Sequence, residues 1–232
     1  MNFKYRSYQK ELLDRDDISF DAISRNMYEL NMINTWLGGH SVTLSGFKKI
    51  LADGKKISIC EIGCGGGDNL YHLKKWCDRK KVNAYFIGID INKNCIEYAR
   101  SRISSDEFTF IISDYRNYNF TEKPDIIFSS LFCHHFNDED IIHALQWMRK
   151  NSAIGFYVND LHRNALAYYA IKWITELFSR SYLVKNDAPL SVLRGFHKKE
   201  WEQLLKRSEI NSYHLQWKWA FRWLIVSLNK TV

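Results

Sequence analysis

The apolar positions of this chain change period partway along it. From Asp21 to Leu37, the residues Ile23, Met27, Leu30, Ile33 and Leu37 recur at intervals of three and four, the spacing that lines one face of a helix. Ser19 or Asp21 supplies an N-terminal cap and Gly38-Gly39 a stop, and residues 1–51 as a whole read as helical and amphipathic. From Lys56 the period shortens. Short β-rich apolar runs at 57–62, 84–89, 108–112, 125–129 and 153–158 alternate with helical stretches at 68–77, 93–102 and 138–150. Strands apolar on both faces belong in a parallel sheet with helices on each side. Right-handed crossovers between such strands produce a doubly wound α/β arrangement.

The alternation then lapses. Residues 164–178 predict a helix that is apolar nearly all round, with Leu166, Tyr169, Ala170, Trp173 and Leu177 as its inward stripe. Another helix is predicted over 198–207. The closing run SYHLQWKWAFRWLIVSL has β-favouring character with a turn near Ala220, which predicts two strands, the last antiparallel to the sheet. Prolines occur only at 124 and 189 and no Gly/Ser-rich linker appears, so one compact unit is expected. Its parts are a helical N-terminal cap over 1–55 and a core over 56–232, with a lid inserted at about 161–196.

Composition narrows the class. With 232 residues, 46% hydrophobic and 25% charged, the chain is long enough for a real core and is neither disordered nor fibrous. No run approaches the roughly 20 apolar residues of a membrane span, and the N-terminus has no apolar signal region. Cys60, Cys64, Cys77, Cys95 and Cys133 are odd in number and form no CxxC pair, which disfavours a disulfide framework or a zinc cluster. A reducing cytoplasm is the expected setting. The net charge of +7 is scattered in pairs such as Lys48-Lys49, Lys55-Lys56 and Lys198-Lys199, the pattern of solvated helix ends. Attraction to an anionic membrane, an acidic carrier or RNA is the alternative.

The sharpest chemical signal is ISICEIGCGGGDNL, residues 57–70. A strand runs to Glu61 and a glycine-rich turn opens a helix near Asp68, which is where open α/β sheets bind ligands. The dinucleotide fingerprint requires glycines at positions one, three and six. Counted from Gly63 the sixth position is Asp68, and counted from Gly65 it is Leu70, so neither frame fits. No Gly-Lys-Ser/Thr follows either, and the expected ligand is a nucleoside without phosphates. Asp90 ends the second strand, where a carboxylate accepts from ribose hydroxyls. Asp114 ends the third, beside Tyr115. Three successive acidic strand ends, Glu61, Asp90 and Asp114, thus flank one glycine turn.

In these residues the chain resembles the class I S-adenosylmethionine-dependent methyltransferases, over 57–228. The E-I-G-C-G-G-G loop is similar to their first motif, which implies cofactor contacts from Glu61, Gly63, Cys64, Gly65 and Gly67. Asp90 with Ile91 matches the ribose position, and Asp114 with Tyr115 the adenine position. The run SSLFCHHF, residues 129–136, resembles the fourth motif and brings in Ser130. Within the family the chain looks most like bacterial small-molecule enzymes of the ubiquinone- and menaquinone-biosynthesis type, through SRNMYELNMINTWLGGH and NDLHRNALAYYAIKW. The resemblance implies adenosylmethionine as cofactor, adenosylhomocysteine as product, and a Rossmann-like seven-stranded fold.

The resemblance also narrows the acceptor. The Asn/Asp-Pro-Pro-Tyr/Phe of nitrogen methylation is replaced by Ser129-Ser130-Leu131-Phe132, and Cys133 follows Phe132 rather than a proline. Asn159-Asp160 follows the fifth strand, but the Asp that metal-dependent catechol enzymes carry after the fourth is missing, so no metal is expected. His162 is the first choice of general base, with His135 second, since imidazole titrates near neutrality. Trp36, His134, Arg163, Tyr169 and Trp173 are expected around an aromatic or alkyl-bearing acceptor, and Arg25 near the cofactor's carboxylate. Five of eight tryptophans lie after residue 170, which suits an apolar C-terminal pocket wall or an interfacial lid. The expected reaction is O-methylation of a small aromatic, phenolic or lipid-like metabolite by a cytoplasmic monomer or homodimer, with peripheral membrane contact compatible and no nucleic acid expected. Carbon methylation of a quinol precursor is the catalytic alternative, and an RNA-binding methyltransferase or a nucleoside-binding module the other.

Overall fold

The sheet is built from β1 (Ile57–Ile62), β2 (Ala84–Asp90), β3 (Phe108–Ile112), β4 (Ile126–Ser130), β5 (Gly155–Leu161), β6 (His214–Lys218) and β7 (Arg222–Leu228). These belong to a computed structural model that describes residues 2–15, 17–51 and 56–229. The strands hydrogen-bond in the order β3-β2-β1-β4-β5-β7-β6. The first five are parallel, and β7 runs antiparallel to both β5 and β6. This is the expected doubly wound α/β sheet with a reversed strand. Its central strands carry apolar side chains on both faces because helices cover both. Phe47, Phe86 and Tyr157 lie in the core on one side and Phe156, Leu145 and Trp201 in the core on the other.

Helices α3 (Asp68–Lys80), α4 (Lys93–Arg102), α5 (Asp138–Asn151) and α8 (Lys198–Arg207) agree with the periodicity to within a turn. Strands β2 and β5 run beyond their apolar cores. Asp90 pairs with Ile112, and Asn159 to Leu161 pair with Leu224 to Arg222. The ladder continues through polar residues at the carboxyl ends, which apolar content alone does not reveal.

The N-terminal region departs from the expected helical character of 1–51 in its first part. Apart from a single 3-10 turn at Leu12–Asp14, the described residues before Phe20 form an extended strap. Its backbone is tied elsewhere: Ser7 N–H donates to the Leu193 carbonyl at 3.0 Å, and the N–H groups of Leu12 and Leu13 donate to Asp187 at 2.8 and 2.9 Å. Helix α1 (Phe20–Trp36) starts at Ser19, whose hydroxyl accepts from the Ala22 N–H, as a cap should. Gly38 (φ 72°) turns the chain, and Gly39 then opens α2 (Gly39–Ile50). The expected boundary between cap and core, with Lys55, falls in 52–55, outside the described residues.

Between β5 and α8 the chain makes a helical hairpin, α6 (Ala165–Phe178) and α7 (Tyr182–Arg194). No apolar stripe announces α7, which contains Pro189. In α6 the expected inward stripe is corrected. Leu166, Tyr169, Trp173 and Leu177 are exposed (67, 49, 67 and 71%), while Ala167, Tyr168, Ile171 and Thr175 are buried. One residue of helix is about 100° of rotation, and small side chains at 167 and 175 allow closer packing than Trp173 would. Arg163, expected at the acceptor, is instead fully buried as a strut. Its guanidinium donates to the carbonyls of Phe3, Lys4 and Gly195 and pairs with Glu200 at 2.7 Å.

Candidate active site

The carboxyl ends of β1 to β5 open into one cleft of about 1450 Å³, roofed by α1, α6, α7 and the strap. That exceeds the roughly 300–1,000 Å³ of a pocket for one drug-sized ligand and leaves room for two reactants side by side.

At the β1 end the chain reverses through Gly63 (φ 65°) and Gly65 (φ 51°). A Cβ on Gly63 would fall 2.1 Å from the Phe132 ring, so only glycine lets the turn lie against the loop after β4. Asp90 organises this turn from β2. One carboxylate oxygen accepts the Gly65 N–H at 2.8 Å and the other the Asn92 N–H at 2.8 Å. Burial raises the Asp90 pKa, and these two N–H groups oppose the rise. Glu61 lies beneath, 1% exposed. Its Oε1 accepts from Asn69 at 2.8 Å, while its Oε2 has no partner. Burial pushes its pKa well up, and the Asp68 and Asp90 charges add to this. An unpartnered buried acid atom beside an open turn is complementary to a positively charged ligand. Adenosylmethionine's sulfonium and ammonium groups fit that requirement.

Further along the cleft, Ile91 presents an exposed apolar face and Tyr115 a buried ring. Asp114 caps the short turn after β3, and its carboxylate is gripped by Arg116 Nη2 at 2.6 Å, which holds its pKa down. Ser130 ends β4 and accepts from Asn159 at 3.1 Å. Cys64 lines the cleft, but burial pushes its thiol well up, which makes it filler rather than nucleophile. Gly67 caps α3 against the Phe110 ring and is not part of the lining.

Opposite the glycine turn, the strap brings Glu11 and Asp14 onto the His134-His135 pair. His134 is 3% exposed, and its Nδ1 donates to Asp160 at 2.7 Å, with Nε2 3.6 Å from Glu11. Burial alone would lower its pKa, but the Asp160 and Glu11 carboxylates outweigh burial and lift it to about 9. Both acids are held below their ordinary range against the same burial by the histidines. His135 is more open. Its Nδ1 lies 3.3 Å from Asp14 and its Nε2 3.7 Å from Glu11. Glu11, His134 and His135 are the one grouping among the described residues with metal-compatible spacing.

The structure separates several expected residues from this cleft. His162 follows β5 on the opposite side from Leu161, with its ring 5.3 Å from Trp223 and its Nδ1 accepting from Trp217 at 3.2 Å. Strand alternation puts neighbours on opposite faces, so the expected base lies outside the cleft. Arg25 is exposed on α1 away from the lining, as is Trp36. Tyr169 and Trp173 point to solvent, and α6 presents Ala170, Ile171 and Ile174 to the cleft instead. Residues that sequence reasoning missed take their places. Glu11, Asp14, His40, Arg194 and Arg222 all line the cleft. His40 bridges Asn69 and Asn31 at 2.8 and 2.9 Å, and burial brings its pKa down to about 4. Leu131, just after β4 and among the lining residues, holds φ 54°, a conformation rare for a bulky side chain.

Residues 59–153 match the family described as Methyltransferase domain. No curated protein sequence matches the chain. Among solved structures the fold is similar to the plantazolicin methyltransferase BpumL in complex with SAH, at TM-score 0.67 and 16% identity, covering 94% of this chain and 91% of that one. It is also similar to magnesium protoporphyrin IX methyltransferase from Synechocystis PCC 6803 with bound SAH, at TM-score 0.56 and 14% identity, covering 91% and 100%. Human N-acetylserotonin methyltransferase in complex with SAM aligns at TM-score 0.62 and 17% identity, covering 92% of this chain and 57% of that one.

Proposed function

We propose that this chain, which carries a methyltransferase domain over residues 59–153, is an enzyme that transfers a methyl group from S-adenosylmethionine to a small aromatic, phenolic or lipid-like acceptor, at oxygen. The observation that carries this reading is the convergence of Asp90 and the unpartnered Glu61 Oε2 on the Gly63–Gly65 turn. Asp90 has the free lone pairs to accept from ribose hydroxyls, and Glu61 a buried, unpartnered carboxyl oxygen that an arriving cation would favour in its ionised form. Asp114 and Tyr115 take the adenine in this reading, and Ile91, beside Asp90, packs against the ribose. When bound, adenosylmethionine supplies an electrophilic methyl and departs as adenosylhomocysteine. The chain's own task is to orient the two reactants and exclude water. The α6–α7 wall of Ala170, Ile171, Ile174 and Val192 suits an apolar acceptor body. His135, oriented by Asp14 and Glu11, takes the role of base for a hydroxyl proton.

The test is a mass gain of one methyl on an acceptor from a panel of phenols, hydroxy acids and quinols incubated with adenosylmethionine. Loss of the titratable hydroxyl identifies transfer to oxygen, and its retention identifies transfer to carbon. Asp90→Ala weakens adenosylhomocysteine binding by about 1–3 kcal/mol in calorimetry, as lost hydrogen bonds to a charged group do. Unchanged affinity in that variant removes the adenosine assignment.

The exposed face of α6 extends the reading to where the acceptor is met. Leu166, Tyr169, Trp173 and Leu177 stand together in solvent beside the exposed Lys172, with Arg180 just past the helix. An apolar stripe with cations beside it fits an anionic lipid surface, and no helix among the described residues is long and apolar enough to cross a membrane. The protein is expected to float with vesicles containing phosphatidylglycerol and to stop doing so as Trp173→Asp. Flotation that the variant retains rejects this contact.

A further inference from the structure

Arg222 is the first residue of β7 and one of the cleft's lining residues, yet only 3% of its surface is exposed. Its Nη2 donates to Asn34 Oδ1 at 2.8 Å, while Nε and Nη1 have no partner. A buried guanidinium is ordinarily matched by a carboxylate. The nearest acid in its field, Asp160, is already engaged by His134. The guanidinium rests against Gly39, where a Cβ would fall 2.9 Å from Nη2. Gly39 is the first residue of the twelve-residue α2, so the unpaired cation stands beside a helix N-terminus, the positive end of its dipole. Two independent sources of positive potential therefore converge on one buried point of the cleft wall.

We propose that Arg222, with Asn34 and the first turn of α2, forms an oxyanion pocket that selects acceptors carrying a carboxylate. The inference rests on the methyltransferase reading and deepens it by naming the substrate class. Two molecules bring a carboxylate to such a cleft, the acceptor and the amino-acid end of the donor. The apolar wall beside the charge favours the acceptor. Leu161, Trp219 and Phe221 adjoin Arg222 along the lining and provide an apolar wall next to the charge. The ligand that fits is a hydrophobic hydroxy acid, its body on that wall and its acid group on Arg222.

The test compares matched acid and amide probes, 4-hydroxybenzoate against 4-hydroxybenzamide and 3-hydroxydodecanoate against its amide. Binding is measured by calorimetry on protein both free of and loaded with adenosylhomocysteine. The wild type is expected to prefer the acid by about tenfold or more, as a charge-assisted contact requires. Arg222→Gln abolishes the preference, and Arg222→Lys keeps part of it. Asn34→Asp also abolishes it, by placing a permanent carboxylate on the guanidinium, and this variant keeps the buried guanidinium, now paired, if Arg222→Gln fails to fold. No acid preference in the wild type, or one that survives in Arg222→Gln and Asn34→Asp, overturns the proposal. If Arg222→Gln instead weakens adenosylhomocysteine while leaving 5′-methylthioadenosine unchanged, the donor's carboxylate is the occupant and the acceptor assignment falls. A wild type that binds no adenosylhomocysteine yet prefers the acids rejects the methyltransferase reading and leaves the oxyanion pocket standing.

Discussion

His135→Gln is expected to lower turnover by about 10²- to 10⁴-fold, the usual worth of a positioned general base, with adenosylhomocysteine affinity unchanged. The expectation comes from placement. His135 lines the cleft, whereas His162 lies outside it. One ring nitrogen of His135 lies 3.3 Å from Asp14 and the other 3.7 Å from Glu11, so carboxylates orient the imidazole. Neither acid contact touches the Gly63–Gly65 turn, which is why donor binding should survive. His162→Ala serves as the internal comparison and should turn over normally. Single-turnover measurement separates chemistry from product release. Full activity in His135→Gln would show that the acceptor arrives already ionised and would end the base assignment.

Asp160→Asn is expected to destabilise the fold by about 3–5 kcal/mol, the cost of removing one partner of a buried ion pair. His134 and Asp160 are both essentially inaccessible, at 3% and 0%, and their bond joins the loop after β4 to β5. The pH dependence follows from the two shifts. His134 binds its proton more tightly folded than unfolded, so its contribution is complete below about pH 6.5 and is lost as pH climbs through about 9. Asp160 has the opposite sign: its contribution is present above its ordinary 3.8 and is lost as pH falls through its lowered folded value. Urea unfolding of wild type and variant at pH 6 and above pH 9 should therefore show a large gap that shrinks with alkalinity. A gap that is absent at pH 6, or constant across that range, would refute the pair's role.

What could be read in the chain beforehand was whatever is local. The strands announced themselves by apolar runs, and the acids at 61 and 90 by ending those runs beside a glycine turn. Parity was not readable. The fifth apolar run stops at Val158, but hydrogen bonding carries β5 to Leu161, and side chains past an unknown strand end cannot be assigned a face. That is how His162 came to be expected on the wrong side. In α6 the bulkiest side chains suggested the inward stripe, whereas packing against α7 selected the small ones at 167 and 175. The site's second half depends on long separations: Asn34 meets Arg222 across 188 residues, and Ser191 meets Glu11 across 180. Residue spacing carries no information about such pairs, since only the finished topology brings them together.

The strap has a consequence for biosynthesis. It leaves the ribosome well before its anchors at Asp187, Leu193 and Arg194, which are translated some 180 residues later. Until then Glu11 and Asp14 have nothing to bind beyond the histidines, and ordering them must wait for contacts of high sequence separation, the slowest kind to form. A nascent chain can thus complete β1 to β4 well before the cleft has its full wall, and that wall closes only when the strap docks onto the later-made α7.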